Sequence, residues 1–64
     1  MKRYRVPTDD DYRKMVEVRL PNTDEWTTGL LIEVIDEIFY VRYAAGYDDT
    51  TAFADCRIEV EPGE

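Results

Sequence analysis

The chain has 64 residues, a formal net charge of −7, one cysteine and no histidine. A domain of this size buries a single thin core, which leaves no room for a deep, water-excluding active site. The absence of histidine removes the usual general base near neutral pH, and Cys56 alone cannot form an internal disulfide or a zinc site. The composition therefore predicts a binding or structural protein, with no enzymatic activity, metal or cofactor.

The charge is distributed unevenly along the chain. Residues 1–19 carry a net charge of +2, whereas residues 20–64 carry −9. An acidic body repels phosphate backbones, so nucleic acid is a poor partner, whereas a basic protein or a cationic peptide suits the charge. The alternative interpretation is that the acidic surface serves only to keep a small protein soluble.

The sequence also predicts a cellular location. No apolar run approaches the roughly 18 residues of a membrane helix, and the start, "MKRYRV", lacks the apolar stretch of a signal peptide. A single thiol fits a reducing compartment. We therefore expect a cytoplasmic protein without membrane attachment.

In chain order, residues 1–5 predict a basic arm or a short edge strand. The arm could contact nucleic acid, but folding back onto the acidic body is the simpler interpretation. Pro7 favours an extended conformation at Val6. Thr8 and Asp11 have the spacing of a capping box, so one helical turn is expected after the arm.

Two strands are predicted next. The segment "MVEVRL" alternates apolar and polar residues, as a half-buried strand does. After a polar loop, "WTTGLLIEVID" predicts a second strand, with Gly29 at a bend or bulge. The residues expected to face the core are Val16, Val18 and Leu20 in the first strand, and Leu30, Ile32 and Val34 in the second.

The second half of the chain predicts a reversal and further strands. Asp36 and Glu37 predict a tight reversal into the strand "IFYVRYA", and residues 45–49 predict the next turn. The segment "TTAFADCRIEV" contains the last strand, although "ADCRI" also fits a single 3₁₀ turn before a shorter closing strand. The inward positions expected here are Phe39, Val41 and Tyr43, followed by Ala52, Ala54, Cys56, Ile58 and Val60. An inward Cys56 is expected to be an inert thiol.

Four or five short antiparallel strands at this spacing predict an all-β fold, namely a small SH3-like barrel. Closing the sheet would protect its edges and let one thin core serve every strand. The expected organisation is a single domain over residues 1–64, with the arm and helical turn in residues 1–14, the barrel in residues 15–61 and a frayed tail in residues 62–64.

Residues 26–60 resemble the Tudor and agenet group of SH3-like barrels. Trp26 opens a strand, Gly29 and "LLIEVIDE" follow, and "FYVRY", "AAGYDDT" and "CRIEV" complete the series. The earlier segment "VPTDDDYRKMVEVR" is similar in style to small uncharacterised proteins of phages and bacteria. The Tudor resemblance implies an aromatic cage that binds a methylated lysine or arginine by cation–π attraction. It also implies that Tyr43 and Tyr47 stand where the turn aromatics of the family are expected.

A candidate partner surface follows from the aromatic and acidic residues. Tyr40 and Phe53 have the parity of outward positions, where large aromatics indicate a contact surface. The two aspartates after Gly46 are typical turn residues, and their spacing does not fit a calcium loop. The candidate surface comprises Trp26, Tyr40, Tyr47, Asp48, Asp49 and Phe53.

We therefore expect a non-enzymatic interaction module that binds a protein or a cationic peptide through this surface. The alternatives are a reader of methylated lysine or arginine, a small phage-type accessory or structural subunit, and nucleic acid binding, which the charge disfavours. Trp26 also has a structural interpretation, as a rim residue that covers one end of the barrel.

Overall fold

Six antiparallel β-strands form one sheet in the computed structural model, which describes residues 2–61. The strands are β1 (Tyr4–Arg5), β2 (Met15–Arg19), β3 (Trp26–Ile35), β4 (Ile38–Arg42), β5 (Asp48–Ala52) and β6 (Cys56–Glu59). One 3₁₀ turn, Asp9–Asp11, precedes β2, and a second, Phe53–Asp55, precedes β6. The predicted all-β class is confirmed, with six strands rather than four or five. Residue 1 and the predicted tail, residues 62–64, lie outside the described residues.

The sheet is open rather than closed. Its strand order is β1-β6-β2-β3-β4-β5, so within residues 2–61 the strands β1 and β5 form its two edges and no pairing joins them as the expected closed barrel requires. β3 connects two parts of the sheet, because its residues 26–30 pair with β2 and its residues 30–35 pair with β4. A β-bulge between Leu31 and Glu33 bends β3 near this junction, so one face of the sheet is concave.

The concave face carries the hydrophobic core. Its buried side chains are Val16, Val18, Leu31, Phe39, Val41, Cys56 and Ile58, with Val34 and Tyr43 packed against them. The inward positions predicted for β2, β4 and β6 are confirmed at Val16, Phe39 and Ile58, for example. Because burial contributes about 25 cal/mol per Å² of apolar surface, these few side chains provide most of the hydrophobic stabilisation of the domain.

The predicted phase of β3 is wrong in its first half. Leu31 is completely buried, whereas Leu30 and Ile32 are only half-buried. The bulge places one extra residue in the strand and reverses the alternation. Val34 therefore packs against the core, as predicted, although the residues before it have the opposite phase.

Strand ends account for other differences from the predicted core. Leu20 follows the last residue of β2 and is exposed. Ala52 and Ala54 are exposed because the chain leaves the sheet in the second 3₁₀ turn. A 3₁₀ turn does precede a short closing strand, as the alternative predicts, but it lies earlier than "ADCRI", whose last three residues belong to β6. Gly29 is not at the bulge. It lies beneath Val41, whose Cγ1 would stand 2.3 Å from a Cβ added at Gly29.

Two hairpin turns fix the positions of β4 and β5. The reversal at Asp36 and Glu37 is confirmed, and both residues have positive φ, 49° and 66°, as in a type I′ turn. In the β4–β5 loop, the Tyr43 N–H donates to the Tyr47 carbonyl (3.0 Å), and the N–H of Gly46, which has a φ of 91°, donates to the Tyr43 carbonyl (2.9 Å). The turn predicted over residues 45–49 is wrong at its C-terminal end, because β5 already begins at Asp48.

The N-terminal arm packs onto the sheet, as its simpler interpretation predicts. Tyr4 and Arg5 pair with β6, and Lys2 Nζ lies 3.5 Å from Glu59 Oε1. These contacts bring positive charge against the acidic body, where opposite charges attract. The arm is therefore part of the described domain rather than a separate extension.

A buried carboxylate ties the arm to the first 3₁₀ turn. The predicted capping box is present, because Thr8 is the N-cap and its N–H donates to Asp11 Oδ2 at 2.8 Å. Arg5 donates to both carboxylate oxygens of Asp11, at 2.7 Å and 3.0 Å. Only 1% of Asp11 is exposed, so the arm, the cap and the turn share one buried polar cluster.

Candidate functional site

The six predicted surface residues do not form one surface. Directly paired residues of antiparallel strands share a face, and Asp49 is paired with the buried Val41. Asp49 and Tyr47 lie on the concave side of the sheet, where both line a cleft. The other predicted residues lie elsewhere, with Trp26, Tyr40 and Asp48 on the convex side and Phe53 against the core.

The cleft has a volume of about 770 Å³ and lies between the β2–β3 loop, the β4–β5 loop and β5. Leu20, Pro21 and Asn22 line it on one side, and residues of the β4–β5 loop and of β5 line it on the other. The β2–β3 loop has an ordered conformation, because the Leu20 N–H donates to the Glu25 carbonyl at 2.8 Å and Thr23 Oγ1 donates to the Leu20 carbonyl at 3.0 Å. The cleft is thus a preformed depression with walls from separate parts of the chain.

Two tyrosines form the aromatic wall of the cleft. The ring centroids of Tyr43 and Tyr47 are 5.1 Å apart, with 47° between the ring planes. Tyr43 packs against the core, whereas 57% of Tyr47 is exposed. The pKa of Tyr43 is raised, first by burial and then by the nearby Asp49 carboxylate, so its hydroxyl stays neutral at physiological pH. The pair therefore presents one fixed ring and one accessible ring.

Two carboxylates also line the cleft, and their environments differ. Asp55 is engaged by Arg19, whose Nε donates to Asp55 Oδ1 at 2.9 Å and whose second guanidinium nitrogen contacts the same oxygen. Asp49 accepts only the N–H of Thr50, at 2.8 Å, and no basic side chain within residues 2–61 forms an ion pair with it. Asp49 is therefore the carboxylate that can meet an external cation beside the tyrosines.

Trp26 belongs to a different cluster on the convex side of the sheet. Arg57 lies between two rings, with its guanidinium carbon 3.8 Å from the centroid of Tyr4 and 4.0 Å from that of Trp26. Glu17 Oε1 accepts from Arg57 Nε at 3.0 Å and from Nη2 at 2.8 Å. Trp26 thus already contacts a cation of its own chain. Trp26 and Tyr47 lie on opposite sides of the sheet, so the structure does not bring these two members of the predicted partner surface together.

This convex cluster was not predicted from the sequence. The outward parity of Arg57 and Glu17 was a usable signal, since opposite charges at paired outward positions stabilise neighbouring strands. Tyr4 gave no such signal, because β1 has two residues and is too short to show an alternation of apolar and polar side chains. The cluster holds β1, β2, β3 and β6 together from the outside.

Asp48 and Tyr40 also lie on the convex side. Arg42 donates to the Asp48 carboxylate from Nε at 2.7 Å and from Nη2 at 3.1 Å. These hydrogen bonds lower the pKa of Asp48 and raise that of Arg42. Tyr40 is half-buried and paired with Thr50 across the sheet. Asp48 is therefore a partner of Arg42, and neither Asp48 nor Tyr40 lines the cleft.

Phe53 covers one end of the core. Its ring is stacked on Phe39, with centroids 4.7 Å apart and 18° between the planes. Phe53 was predicted at an outward position, and the structure shows that the second 3₁₀ turn starts at this residue and brings one face of its ring against Phe39. Its 37% exposure comes from its position at the rim of the core.

The thiol of Cys56 is expected to resist modification in the folded protein. Only 2% of Cys56 is exposed, and burial raises its pKa to about 12, so almost no reactive thiolate forms at pH 8. With a chromogenic disulfide reagent at pH 8, we expect negligible labelling without denaturant and complete labelling in urea. Rapid stoichiometric labelling of the folded protein would contradict this assignment.

Other classes of site are not indicated in the described part of the chain. Within residues 2–61, no three His, Cys, Asp or Glu side chains are grouped so that they could hold a metal ion. Over the same residues, no helix is both long enough and apolar enough to cross a membrane. In comparisons with known proteins, no family model, curated protein or solved structure matches the chain. The function must therefore be inferred from the side chains themselves.

Proposed function

We propose that this chain is a non-enzymatic interaction module that binds a cationic side chain of a partner protein in the cleft. The observation that carries the proposal is the placement of Tyr43, Tyr47 and Asp49 around one open depression. An aromatic face attracts a cation through its quadrupole, by about 0.5–2 kcal/mol depending on desolvation. A neighbouring carboxylate adds Coulombic attraction, and the net charge of −9 over residues 20–64 favours a basic partner.

The fold supports the same proposal. We propose that the open sheet is an SH3-like arrangement related in form to Tudor and agenet domains. The 3₁₀ turn before the closing strand β6 and the order β6-β2-β3-β4-β5 are consistent with it. The two cleft tyrosines occupy the positions at which the Tudor resemblance implies turn aromatics.

The composition of the cleft favours a cationic peptide over a strict reader of methylated side chains. Two aromatic rings line the cleft, and Trp26, which the resemblance would add to a cage, packs on Arg57 instead. Two rings on one wall leave the ammonium or guanidinium group partly hydrated, so both methylated and unmethylated forms can bind. We propose arginine or lysine as the ligand group, and weak discrimination by methylation.

The test is an NMR titration of isotope-labelled protein with lysine, trimethyl-lysine, arginine and dimethyl-arginine peptides. Tyr47→Ala is expected to weaken binding by about tenfold, equivalent to about 1.4 kcal/mol, because it removes the accessible ring. Tyr12→Ala is the matched control, since Tyr12 is 53% exposed, close to the 57% of Tyr47, and does not line the cleft. Both variants should fold normally because both side chains are exposed.

The shifts should also be local. We expect saturable changes at Tyr43, Tyr47 and Asp49, and an unchanged Trp26 indole signal, because Trp26 is on the other side of the sheet. Equal losses in Tyr47→Ala and Tyr12→Ala, or shifts centred on Trp26, would place binding elsewhere. A spectrum unaffected by all four peptides would contradict the proposal.

A further inference from the structure

We propose, building on the proposed function, that the cationic partner segment binds in an extended conformation and adds a strand to the free edge of β5. In this arrangement the backbone of the segment pairs with β5 while one of its cationic side chains enters the adjacent cleft. The occupant is thus an extended basic segment of a partner protein.

The hydrogen-bond pattern of the hairpin shows which groups of β5 are available. β5 pairs with β4 and is the last strand in the sheet. The Tyr43 N–H donates to the Tyr47 carbonyl at 3.0 Å, and hydrogen-bonded pairs alternate along antiparallel strands. Asp49 and Thr51 therefore turn their backbone groups towards β4. The residues whose N–H and C=O groups point to the free edge are Asp48, Thr50 and Ala52.

A side-chain contact agrees with this assignment. Within residues 2–61 no strand pairs with the free edge of β5, and the N–H of Thr50 donates instead to the carboxylate of Asp49 at 2.8 Å. A carbonyl of an incoming strand can replace that carboxylate. Asp49 is then released at the mouth of the cleft, where it can pair with the incoming cation. The backbone and side-chain parts of the interaction are therefore coupled through one residue.

The cleft borders the edge of β5 along most of the strand. The four consecutive residues 49–52 all line the cleft, although successive side chains in a strand point to opposite faces. This pattern is expected when the edge itself, rather than one face, forms the wall. The five residues of β5 extend about 17 Å, which matches a partner segment of about five residues.

Charge distinguishes the partner from a second copy of this chain. Residues 20–64, which include β5, carry a net charge of −9, so two copies of this acidic body repel each other when their β5 edges approach. Charged residues on an edge strand are a common protection against such self-pairing. A basic segment meets Asp49, with which no basic side chain of residues 2–61 forms an ion pair, so the edge favours a cationic strand.

The test compares a short peptide of alternating arginine and threonine with versions N-methylated at one residue each. N-methylation removes one backbone donor and leaves the side chains and their charges unchanged. We expect affinity to fall about tenfold at every second residue and to stay nearly constant at the residues between, as strand pairing requires. Amide hydrogen exchange at Thr50 and Ala52 should also slow on binding.

A protein variant provides an independent measurement. Thr50→Pro removes an N–H that points to the free edge, and proline is tolerated on edge strands because the bonds to the neighbouring strand are retained. We expect this variant to fold and to bind the peptide about tenfold more weakly than Thr50→Ala, which also lacks the threonine side chain but keeps the N–H. The peptide series remains decisive if Thr50→Pro fails to fold.

The outcomes separate this inference from the proposed function. Binding that is lost in Tyr47→Ala but insensitive to N-methylation would overturn strand addition and leave the cleft proposal intact. Periodic sensitivity to N-methylation without any effect of Tyr47→Ala would support strand addition and overturn the role of the cleft. A peptide that does not bind at all would overturn both.

Discussion

Asp11→Asn is expected to lower the free energy of unfolding by about 3 kcal/mol. The wild-type carboxylate is 1% exposed and accepts hydrogen bonds from Arg5 at 2.7 Å and 3.0 Å and from the Thr8 N–H at 2.8 Å. Asparagine keeps the shape but turns an amide donor towards the Arg5 guanidinium and removes the compensating charge. Since small domains have about 5 kcal/mol of stability at the lower end of the usual range, most of it would be lost.

Urea denaturation followed by circular dichroism measures the effect. Asp10→Asn is the matched control, because Asp10 lies in the same 3₁₀ turn, is exposed and has the same charge. We expect Asp10→Asn to change stability by less than about 0.5 kcal/mol. Equal midpoints for the two variants would show that the buried cluster contributes nothing specific.

The same carboxylate predicts how stability depends on pH. The hydrogen bonds from Arg5 hold the pKa of Asp11 well below its ordinary value, although burial acts in the opposite direction. Because the folded pKa is depressed, the contribution is complete above the unfolded pKa of about 4 and is lost as pH falls towards the folded pKa. The stability difference between the wild type and Asp11→Asn should therefore shrink between about pH 5 and pH 2. A difference that is constant over that interval would contradict the assignment.

The sequence predicted local structure correctly where the spacing of its residues allowed one interpretation. In β2 a charged residue separates Val16 from Val18, so only one face can be apolar. In the first 3₁₀ turn, Thr8 and Asp11 have a spacing with a single structural use, the capping box. Both predictions are local, because they depend on residues within a few positions of each other.

The phase of β3 could not be predicted in the same way. Leu30, Leu31 and Ile32 are consecutive apolar residues, so no alternation shows which of them faces the core. The bulge settles the matter, and it arises from the pairing of β3 with β4 rather than from any residue that marks it. Gly29 gave a misleading signal, because its small size serves a close packing contact and not a bend.

In the candidate site, too, features set by nearby residues could be predicted and contacts between distant residues could not. Tyr47 and Asp49 lie within the turn that the sequence predicts over residues 45–49, and both line the cleft. The contacts of Trp26 could not be predicted, because they depend on Arg57, which is distant in sequence. The bond from Arg57 to Glu17 spans 40 residues, and no local pattern shows which outward aromatic will receive the guanidinium. Side-chain contacts between distant strands therefore could not be predicted from the sequence.

Gly29→Ala is expected to destabilise the protein by about 2–3 kcal/mol. An alanine Cβ at this position would lie 2.3 Å from Val41 Cγ1, and also 3.3 Å from both the Arg42 carbonyl oxygen and Tyr43 Cδ1. Val41 is completely buried, so it cannot move aside without disturbing the core. Gly29 does not have positive φ, and alanine would otherwise stabilise a strand by up to about 1 kcal/mol through backbone entropy. The steric cost of the added methyl group exceeds this entropic gain, so the net effect is destabilising.

Gly46→Ala separates this steric effect from a conformational one. Gly46 has a φ of 91°, but among residues 2–61 no atom outside its own turn lies within 4 Å of an added Cβ, so its substitution introduces backbone strain without a clash. We expect Gly46→Ala to cost about 1 kcal/mol, less than Gly29→Ala. Urea denaturation of both variants tests the order, and a larger loss in Gly46→Ala would contradict it.

A second substitution should partly reverse the effect of Gly29→Ala. Val41→Ala removes the Cγ1 atom that clashes, although alone it leaves a cavity in the core. The double variant should therefore be more stable than the sum of the two single losses predicts, by about 1 kcal/mol or more of coupling free energy. Tyr43 also contacts the added methyl group, so peptide binding in the cleft should weaken in Gly29→Ala and recover in part in the double variant. Strict additivity of the two losses would show that Val41 is not the obstacle, and that the strain lies in the backbone of β3 or β4.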